Sequence, residues 1–274
     1  MKRILILSLL LTALVSCQRS LPALHERVTI QGSVGSLVGD VDRPEVSGRK
    51  CPVAIILHGL TGQRNEEHLQ AVADSLHARG IATVRFDFNG HGESEGDFVN
   101  LTLDNEFDDA VAMYEYTASL PWADRKRISL VGHSQGGLEA GIVAGALGKD
   151  KIRSLVLLAP AACIHTMAVS GNMFGFRIDQ DPLPEYVEFW RGTHLGKAYF
   201  RSAIDMDVFG RTSAYDGPVL ILQGLADTPA LIEDAEKYTE YLKDVRYVPL
   251  EGLSHCYPED LDTPARMAAD FIAR

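Results

Sequence analysis

Short apolar runs recur along the chain at regular intervals. Val53-Ala54-Ile55-Ile56-Leu57 is uninterrupted, and the stretches from Ile128 to Val131, Ser154 to Ala159 and Pro218 to Gln223 are nearly so. Runs of this length without polar alternation predict strands covered on both faces, as in the middle of a parallel sheet. Ile81 to Phe86 and Arg246 to Leu250 read as two further strands, and Val28 to Gln31 with Ser36 to Val41 as a pair at the start of the sheet. Between the runs the apolar spacing changes to three and four residues. Leu69, Val72, Ala73 and Leu76 predict a helix over Glu67 to Arg79, closed by Gly80. Phe107, Val111, Tyr114 and Ala118 predict a second over Leu103 to Leu120, and Leu138, Ala140, Ile142, Val143 and Ala146 a third. Two more are expected over Ala230 to Lys243 and Pro264 to Ile272. Strands alternating with helices in this way predict an α/β domain over residues 27–274 with a mainly parallel, doubly wound sheet.

The periodicity fails between Ala161 and Tyr215. This segment mixes glycine and proline with Phe174, Phe176, Tyr186, Phe189, Trp190, Tyr199 and Phe200, and it is longer than a compact connection needs. It is expected to be a lid inserted over one edge of the sheet, with Met167, Phe174 and Trp190 as candidate substrate-pocket residues and most of the other aromatics forming the lid's own small core.

At 274 residues and 46% hydrophobic the chain suffices for one large core. A net charge of -11 and the absence of a long basic run argue against nucleic acid as a partner. The first residues read as a targeting segment. Met1-Lys2-Arg3 is basic, Ile4 to Val15 is apolar but short for a membrane span, and Leu14-Val15-Ser16-Cys17 closes the stretch. That ending resembles a bacterial lipobox. It implies a signal peptide over residues 1–16, a lipid on Cys17 that ties the protein to a membrane, and a polar tether over residues 17–26. An ordinary secretory signal and a retained anchor are the other readings. Gln18 after the cysteine favours the periplasmic side of the outer membrane in enteric-type sorting. The spacing of Cys51, Cys163 and Cys256 matches neither a disulfide framework nor a zinc site, so these are expected to be buried small residues.

The chemistry centres on Ile128-Ser129-Leu130-Val131-Gly132-His133-Ser134-Gln135-Gly136-Gly137. An apolar strand that stops at a serine, with glycines two residues away on either side and a helix following, is the pattern of a nucleophile elbow. A serine hydroxyl is a weak nucleophile at neutral pH and needs a base in reach and an acid to orient that base. His255 stands in the turn after the last predicted strand, whereas His58, His91 and His133 sit in or beside earlier turns, and His165 and His194 lie in the lid. Asp227 follows the strand ending at Gln223, while Asp205 and Asp207 are lid residues, Asp216 precedes that strand and Asp234 falls on a helix surface. The order Ser134, Asp227, His255 is the one this fold class uses. Cys256 follows the expected base and is off the elbow, which excludes it as nucleophile. The turn His58-Gly59-Leu60-Thr61-Gly62 leaves backbone N–H groups available to a ligand oxygen, with His58 itself expected to be a turn residue bonded to backbone. The loop Asp87 to Ser94 is expected to stabilise its neighbours rather than hold substrate.

With these residues in place, the chain resembles the α/β-hydrolase superfamily and, within it, the bacterial cinnamoyl and feruloyl esterases. The similarity runs from about Val53 to Phe271 and is strongest in Arg85-Phe86-Asp87-Phe88-Asn89-Gly90-His91-Gly92, the elbow, Leu157-Leu158-Ala159-Pro160-Ala161-Ala162, and Glu251-Gly252 with His255-Cys256. The resemblance implies a nucleophile at Ser134, an acid at Asp227, a base at His255, and oxyanion donors at the backbone N–H groups of Leu60 and Gln135. It implies no metal and no cofactor. Relatives often carry an aromatic residue where this chain has Leu60, which alters the pocket wall but not a backbone donor. Feruloyl-active relatives place polar lid groups on the phenolic hydroxyl, whereas Met167 and Phe174 stand at the matching positions here, so the acyl preference need not be ferulate.

The expectation is a lipid-anchored serine esterase acting through an acyl-enzyme on hydroxycinnamoyl or related aryl or acyl esters, free or linked to plant cell-wall polysaccharide. The same three residues would serve an acetyl-ester or lipid esterase or a serine peptidase. A catalytically dead hydrolase fold that binds glycan or another partner is the rival of a different class, and the intact Ser134, Asp227 and His255 count against it.

Overall fold

The computed structural model describes residues 20–48 and 50–274. The expected signal peptide over 1–16 and the lipidation residue Cys17 lie outside the described residues. Among the described residues no helix is long and apolar enough to cross a membrane.

The centre is an eight-stranded sheet. Its strands in chain order are β1 (Leu24–Gln31), β2 (Ser36–Arg43), β3 (Cys51–Leu57), β4 (Ala82–Phe86), β5 (Ala123–His133), β6 (Leu155–Leu158), β7 (Val219–Gly224) and β8 (Val245–Leu250). Across the sheet they run β8-β7-β6-β5-β3-β4-β2-β1. β3 to β8 pair in parallel, while β2 is antiparallel to both β1 and β4. This is the mainly parallel, doubly wound architecture expected, with the apolar runs as its central strands. Period-2 alternation sorts each run between two cores. Val53, Ile55 and Leu57 of β3 join Leu130, Leu155, Leu157 and Ile221 on one face. Ala54 and Ile56 join Val131, Val156, Leu158 and Leu222 on the other.

Helices cover both faces. The second core is closed by α1 (Glu67–His77), through Leu69, Val72, Ala73 and Leu76, and by the C-terminal helix Asp262–Ile272, through Ala265, Ala268 and Ala269. The first is closed by α2 (Leu103–Ser119), α3 (Gln135–Leu147) and the insertion. Thr102 caps α2 by accepting a hydrogen bond from the Asn105 N–H at 3.0 Å, and Asp104 in its first turn complements the helix dipole.

Three boundaries differ from expectation. β1 begins at Leu24, so Leu24 to Glu26 belong to the sheet and not to a tether; as an edge strand it alternates exposed polar with half-buried residues, a weaker signal than a buried run. β5 begins at Ala123, and its register against β3 shifts so that residues 124–127 form a mostly exposed bulge before Ile128. The insertion is narrower than Ala161 to Tyr215. The helix Val208–Ser213 lies against α3, where a Cβ at Gly145 would overlap the Arg211 carbonyl, so this helix belongs to the body of the domain. What rises over the sheet edge is α4 (Cys163–Ser170), short antiparallel pairs over residues 172–177 and 186–196, and α5 (Lys197–Asp205).

Two carboxyl groups are enclosed between α2, α3 and the insertion. Glu106 and Glu139 are 1% and 0% exposed. Burial pushes both upward from the usual 4.5, Glu106 to about 8 and Glu139 well above its ordinary value, so both stay protonated in the folded protein at neutral pH. The folded state binds these protons more tightly than the unfolded chain. Their stabilisation is therefore complete below about pH 4.5 and is lost as pH rises through the folded values. Glu139→Gln removes a titration of this kind. Thermal unfolding at pH 5 and pH 8 should show the parent losing more stability between the two than the variant, by about 2–4 °C for each kcal/mol at stake. Identical pH dependence in parent and variant would contradict a buried neutral Glu139.

Candidate active site

Ser134 joins β5 to α3 with φ 55° and ψ −122°, a backbone conformation unfavourable for a residue with a Cβ. Its neighbours permit it because they carry no side chain. A Cβ on Gly132 would overlap the Gly136 carbonyl, and one on Gly136 would overlap the His58 carbonyl. Hydrogen bonds then hold the strained residue. The Ser134 N–H donates to the Leu158 carbonyl at 2.9 Å, and the Ser134 carbonyl accepts from the N–H groups of Gly137 (2.9 Å), Leu138 (3.1 Å) and Ala161 (2.9 Å). The serine is half-buried at the carboxyl edge of the sheet.

Two loops at the same edge bring in the other expected residues. Asp227 follows β7 and His255 follows β8, and the loops are tied together by the Leu225 N–H on the Leu250 carbonyl and the Ala226 N–H on the Leu253 carbonyl, each at 2.9 Å. The Asp227 side chain is fully buried. Its Oδ1 accepts from the Ala230 N–H at 3.0 Å, and its Oδ2 accepts from Gln223 Nε2 at 3.0 Å and from His255 Nδ1 at 2.8 Å. A carboxylate only accepts, so Nδ1 carries the proton and Nε2 presents a lone pair. That lone pair lies 2.9 Å from Ser134 Oγ. The sequence-predicted trio is thus assembled as a continuous hydrogen-bonded chain, in a geometry able to move a proton from the serine hydroxyl to the imidazole.

The expected oxyanion donors flank the serine. Leu60 lies in the turn after β3 and lines the cleft in front of Ser134, and the Gly62 N–H closes that turn on the Gly59 carbonyl at 2.9 Å. Gln135 is the first residue of α3, where N–H groups have no acceptor within the helix. Its buried side chain is held from both sides. Nε2 donates to Glu106 Oε2 and Oε1 accepts from the Tyr199 hydroxyl, both at 2.6 Å, so α2 and α5 together fix the start of α3. Sequence reasoning did not single out Glu106 or Tyr199. An acid and a phenol at helical core positions were the only signal.

The turn carrying Leu60 is itself anchored. Arg64 is buried and ion-paired with Asp40 of β2 (2.9 Å), with Asp87 after β4, and with Glu93 (2.5 Å), while its N–H donates to Asp87 Oδ1 at 2.8 Å. Asn89 adds an N–H donated to Asp109 of α2 at 2.9 Å. The loop Asp87 to Ser94 therefore braces its neighbours, as expected. His58 is a turn residue bonded to backbone: Nδ1 donates to its neighbour's carbonyl at 2.9 Å and Nε2 accepts from the Phe88 N–H at 3.0 Å. Burial lowers His58 to about 4 and His91 to about 3, and both remain neutral.

The cleft above Ser134 has a volume of about 170 Å³. Phe174 and Trp190 of the insertion wall it, their ring centroids 5.2 Å apart, and Pro229, Glu66 and Cys256 complete it. Met167 does not line it. On α4 that side chain is half-buried and packs against the core beneath the insertion, so its expected pocket role is corrected. Cys51 and Cys163 are buried free thiols, but Cys256 is exposed, because the turn that presents His255 carries the next residue out to the cleft.

Comparisons with known proteins agree with this architecture. Residues 49–180 match the family model described as serine aminopeptidase, S33. The structure of Est1E from Butyrivibrio proteoclasticus with ferulic acid bound is 32% identical, covers 89% of this chain and 97% of that one, and superposes with a TM-score of 0.85. An uncharacterized 31.7 kDa protein of Escherichia coli is 31% identical over 124 residues, 45% of this chain and 42% of that protein, so the chain spans under half the length of the first curated relatives it matches. An uncharacterized protein of Mycobacterium tuberculosis is 26% identical over 265 residues, 94% of this chain and 81% of that protein. With an Est1E-like fold over 89% of its length and a serine elbow at the sheet edge, the chain belongs to the α/β-hydrolase superfamily and resembles its feruloyl esterases.

Proposed function

We propose that the protein is a serine carboxylesterase that cleaves hydroxycinnamoyl or related aryl esters of plant cell-wall polysaccharide through an acyl-enzyme. The observation that carries this reading is the Ser134–His255–Asp227 hydrogen-bonded chain, at 2.9 and 2.8 Å, opening into an aromatic-walled cleft. Ser134 Oγ attacks the ester carbonyl carbon as its proton passes to His255 Nε2. Asp227 holds the imidazole in the reactive tautomer and stabilises the imidazolium. The backbone N–H groups of Leu60 and Gln135 receive the charge that develops on the carbonyl oxygen. Collapse of the tetrahedral intermediate expels the alcohol, which takes the proton from His255. Water then attacks the acyl-enzyme by the same steps in reverse roles and releases the acid and free Ser134. None of these steps needs a metal or cofactor.

The acyl assignment rests on the walls of the cleft and on the likeness to Est1E, whose structure holds ferulic acid. Phe174 and Trp190 offer flat apolar faces to a conjugated ring, and about 170 Å³ is small for an extended acyl chain. In this reading the protein works from the periplasmic side of the outer membrane, held by a lipid on Cys17. The family description as serine aminopeptidase favours a peptidase as the second reading. Parallel assays on methyl hydroxycinnamates, aryl acetates and aminoacyl amides separate the two, and amide turnover exceeding ester turnover would overturn the esterase.

Ser134→Ala should leave the fold intact and lower kcat/KM on methyl cinnamate by about 10⁴-fold or more. A folded variant that keeps a tenth of the parent rate would remove Ser134 from the chemistry. Phe174→Ala and Trp190→Ala should each lower cinnamoyl relative to acetyl hydrolysis by roughly tenfold, the loss of one aromatic contact. Met167→Ala serves as the off-cleft comparison and should leave that ratio nearly unchanged. Equal losses on both esters at Phe174 and Trp190 would place the acyl group elsewhere.

A further inference from the structure

Beside the hydrolytic trio, three elements converge on a second cluster. His68 comes from the first turn of α1, His133 from the end of β5, and Cys256 from the turn after β8. Each brings a possible ligand atom to within 4.8 Å of the other two. The rings of His68 and His133 meet edge to face with centroids 4.2 Å apart, and the two residues are 6% and 3% exposed. His133 Nε2 lies 2.9 Å from the His255 carbonyl. A carbonyl only accepts, so Nε2 carries the proton and Nδ1 is left as a bare lone pair. Among the described residues that buried Nδ1 has no hydrogen-bond partner, and neither does His68 Nε2. Two unpartnered buried imidazole nitrogens in one cluster call for an explanation. The trio's folding role does not supply one, since hydrophobic neighbours would fill the same space without the desolvation cost.

We propose that His68, His133 and Cys256 form a binding site for a borderline-soft divalent cation of the zinc type, and that its occupancy slows hydrolysis at Ser134. Two imidazoles and a thiolate form a donor set suited to such an ion, leaving a fourth position toward the cleft for water or a further ligand. The His133 Nε2–H on a backbone carbonyl is the outer hydrogen bond that orients metal-ligating histidines. Zinc–nitrogen and zinc–sulfur bonds of about 2.0–2.3 Å set tetrahedral ligand atoms roughly 3.3–3.8 Å apart, so the cluster closes by about an ångström on binding. The thiol releases its proton to solvent as the sulfur–metal bond forms.

The inhibitory half follows from the chain path. Cys256 is the residue after His255, whose Nε2 stands 2.9 Å from Ser134 Oγ and whose ring lies 4.7 Å from that of His133. Drawing the Cys256 sulfur inward displaces the imidazole from the serine, and the bound cation opposes the positive charge that the imidazole acquires during attack. Metal binding is independent of the role proposed for Ser134, whereas the inhibition rests on that reading.

The test uses the full chain stripped of metal. Cobalt(II) is titrated as a spectroscopic probe, zinc is added in competition, and hydrolysis of an aryl ester is followed in parallel. One cobalt per chain should bind, with a thiolate-to-cobalt charge-transfer band and tetrahedral ligand-field bands that zinc displaces. Hydrolysis should fall in step with occupancy. Cys256→Ser should abolish the charge-transfer band, and His68→Gln should weaken binding about tenfold or more while retaining that band at saturation. Absence of the band in the parent, or zinc affinity unchanged in both folded variants, would overturn the site. Full occupancy with undiminished hydrolysis would overturn the inhibition. Ser134→Ala should bind cobalt as the parent does, which separates failure of the metal site from failure of the serine assignment.

Discussion

The structure depends on a close crossing of backbones at one point. The strand carrying Ser134 and the helix that follows approach so tightly that Gly132 abuts the Gly136 carbonyl, and Gly136 abuts the His58 carbonyl of the neighbouring loop. No side chain fits at either position. The crossing forces Ser134 into its positive φ, lifts its hydroxyl off the sheet edge, and puts the start of α3 and the turn after β3 on either side of it. A strained conformation persists only where its surroundings over-determine it. Here that is done by the four backbone hydrogen bonds on Ser134, by the Arg64 ion pairs behind the Leu60 turn, and by the Glu106–Gln135–Tyr199 chain across α2, α3 and α5.

The parts legible in the sequence are those where one physical constraint dominates. Strands buried on both faces favour apolar residues, so β3, β6 and β7 stand out as runs, and their alternate apolar residues divide between the two cores. The elbow is legible because its glycines are sterically obligatory. Asp227 and His255 follow from their places beyond β7 and β8, since a parallel sheet delivers the loops after its strands to a common edge. Elsewhere several weak constraints compete. The edge strand β1 faces solvent and reads as polar chain until Val28, and the exposed bulge of β5 hides its first residues. In the insertion, Met167 falls on an eight-residue helix and Phe174 between two-residue strands, elements too short for a clear period, so pattern alone could not tell them apart. Cys256 looked like core by residue type and is exposed by the turn geometry of its neighbour.

Several buried groups around the site are held uncharged. Burial lowers His58 and His68 to about 4 and His133 well below its ordinary value, while Glu106 and Glu139 are held protonated. The buried Asp227 side chain meets His255 Nδ1 at 2.8 Å, where an electrostatic interaction is stronger than in water. Neutrality has an opposite effect on stability at the two ends of the pH scale. Histidines with lowered values lose their folded-state contribution as pH falls below 6.5, and carboxyls with raised values lose theirs as pH rises above 4.5. The aromatic pair Phe174 and Trp190 extends the same apolar character outward into the cleft.

The central claim is that Ser134 is a nucleophile activated by His255. Treatment of the folded protein with a fluorophosphonate, followed by intact mass measurement and peptide mapping, tests it most directly. A single adduct on Ser134 is expected, formed rapidly in the parent and suppressed in a folded His255→Ala variant. An adduct on another residue, or labelling of Ser134 at the same rate without His255, would contradict it.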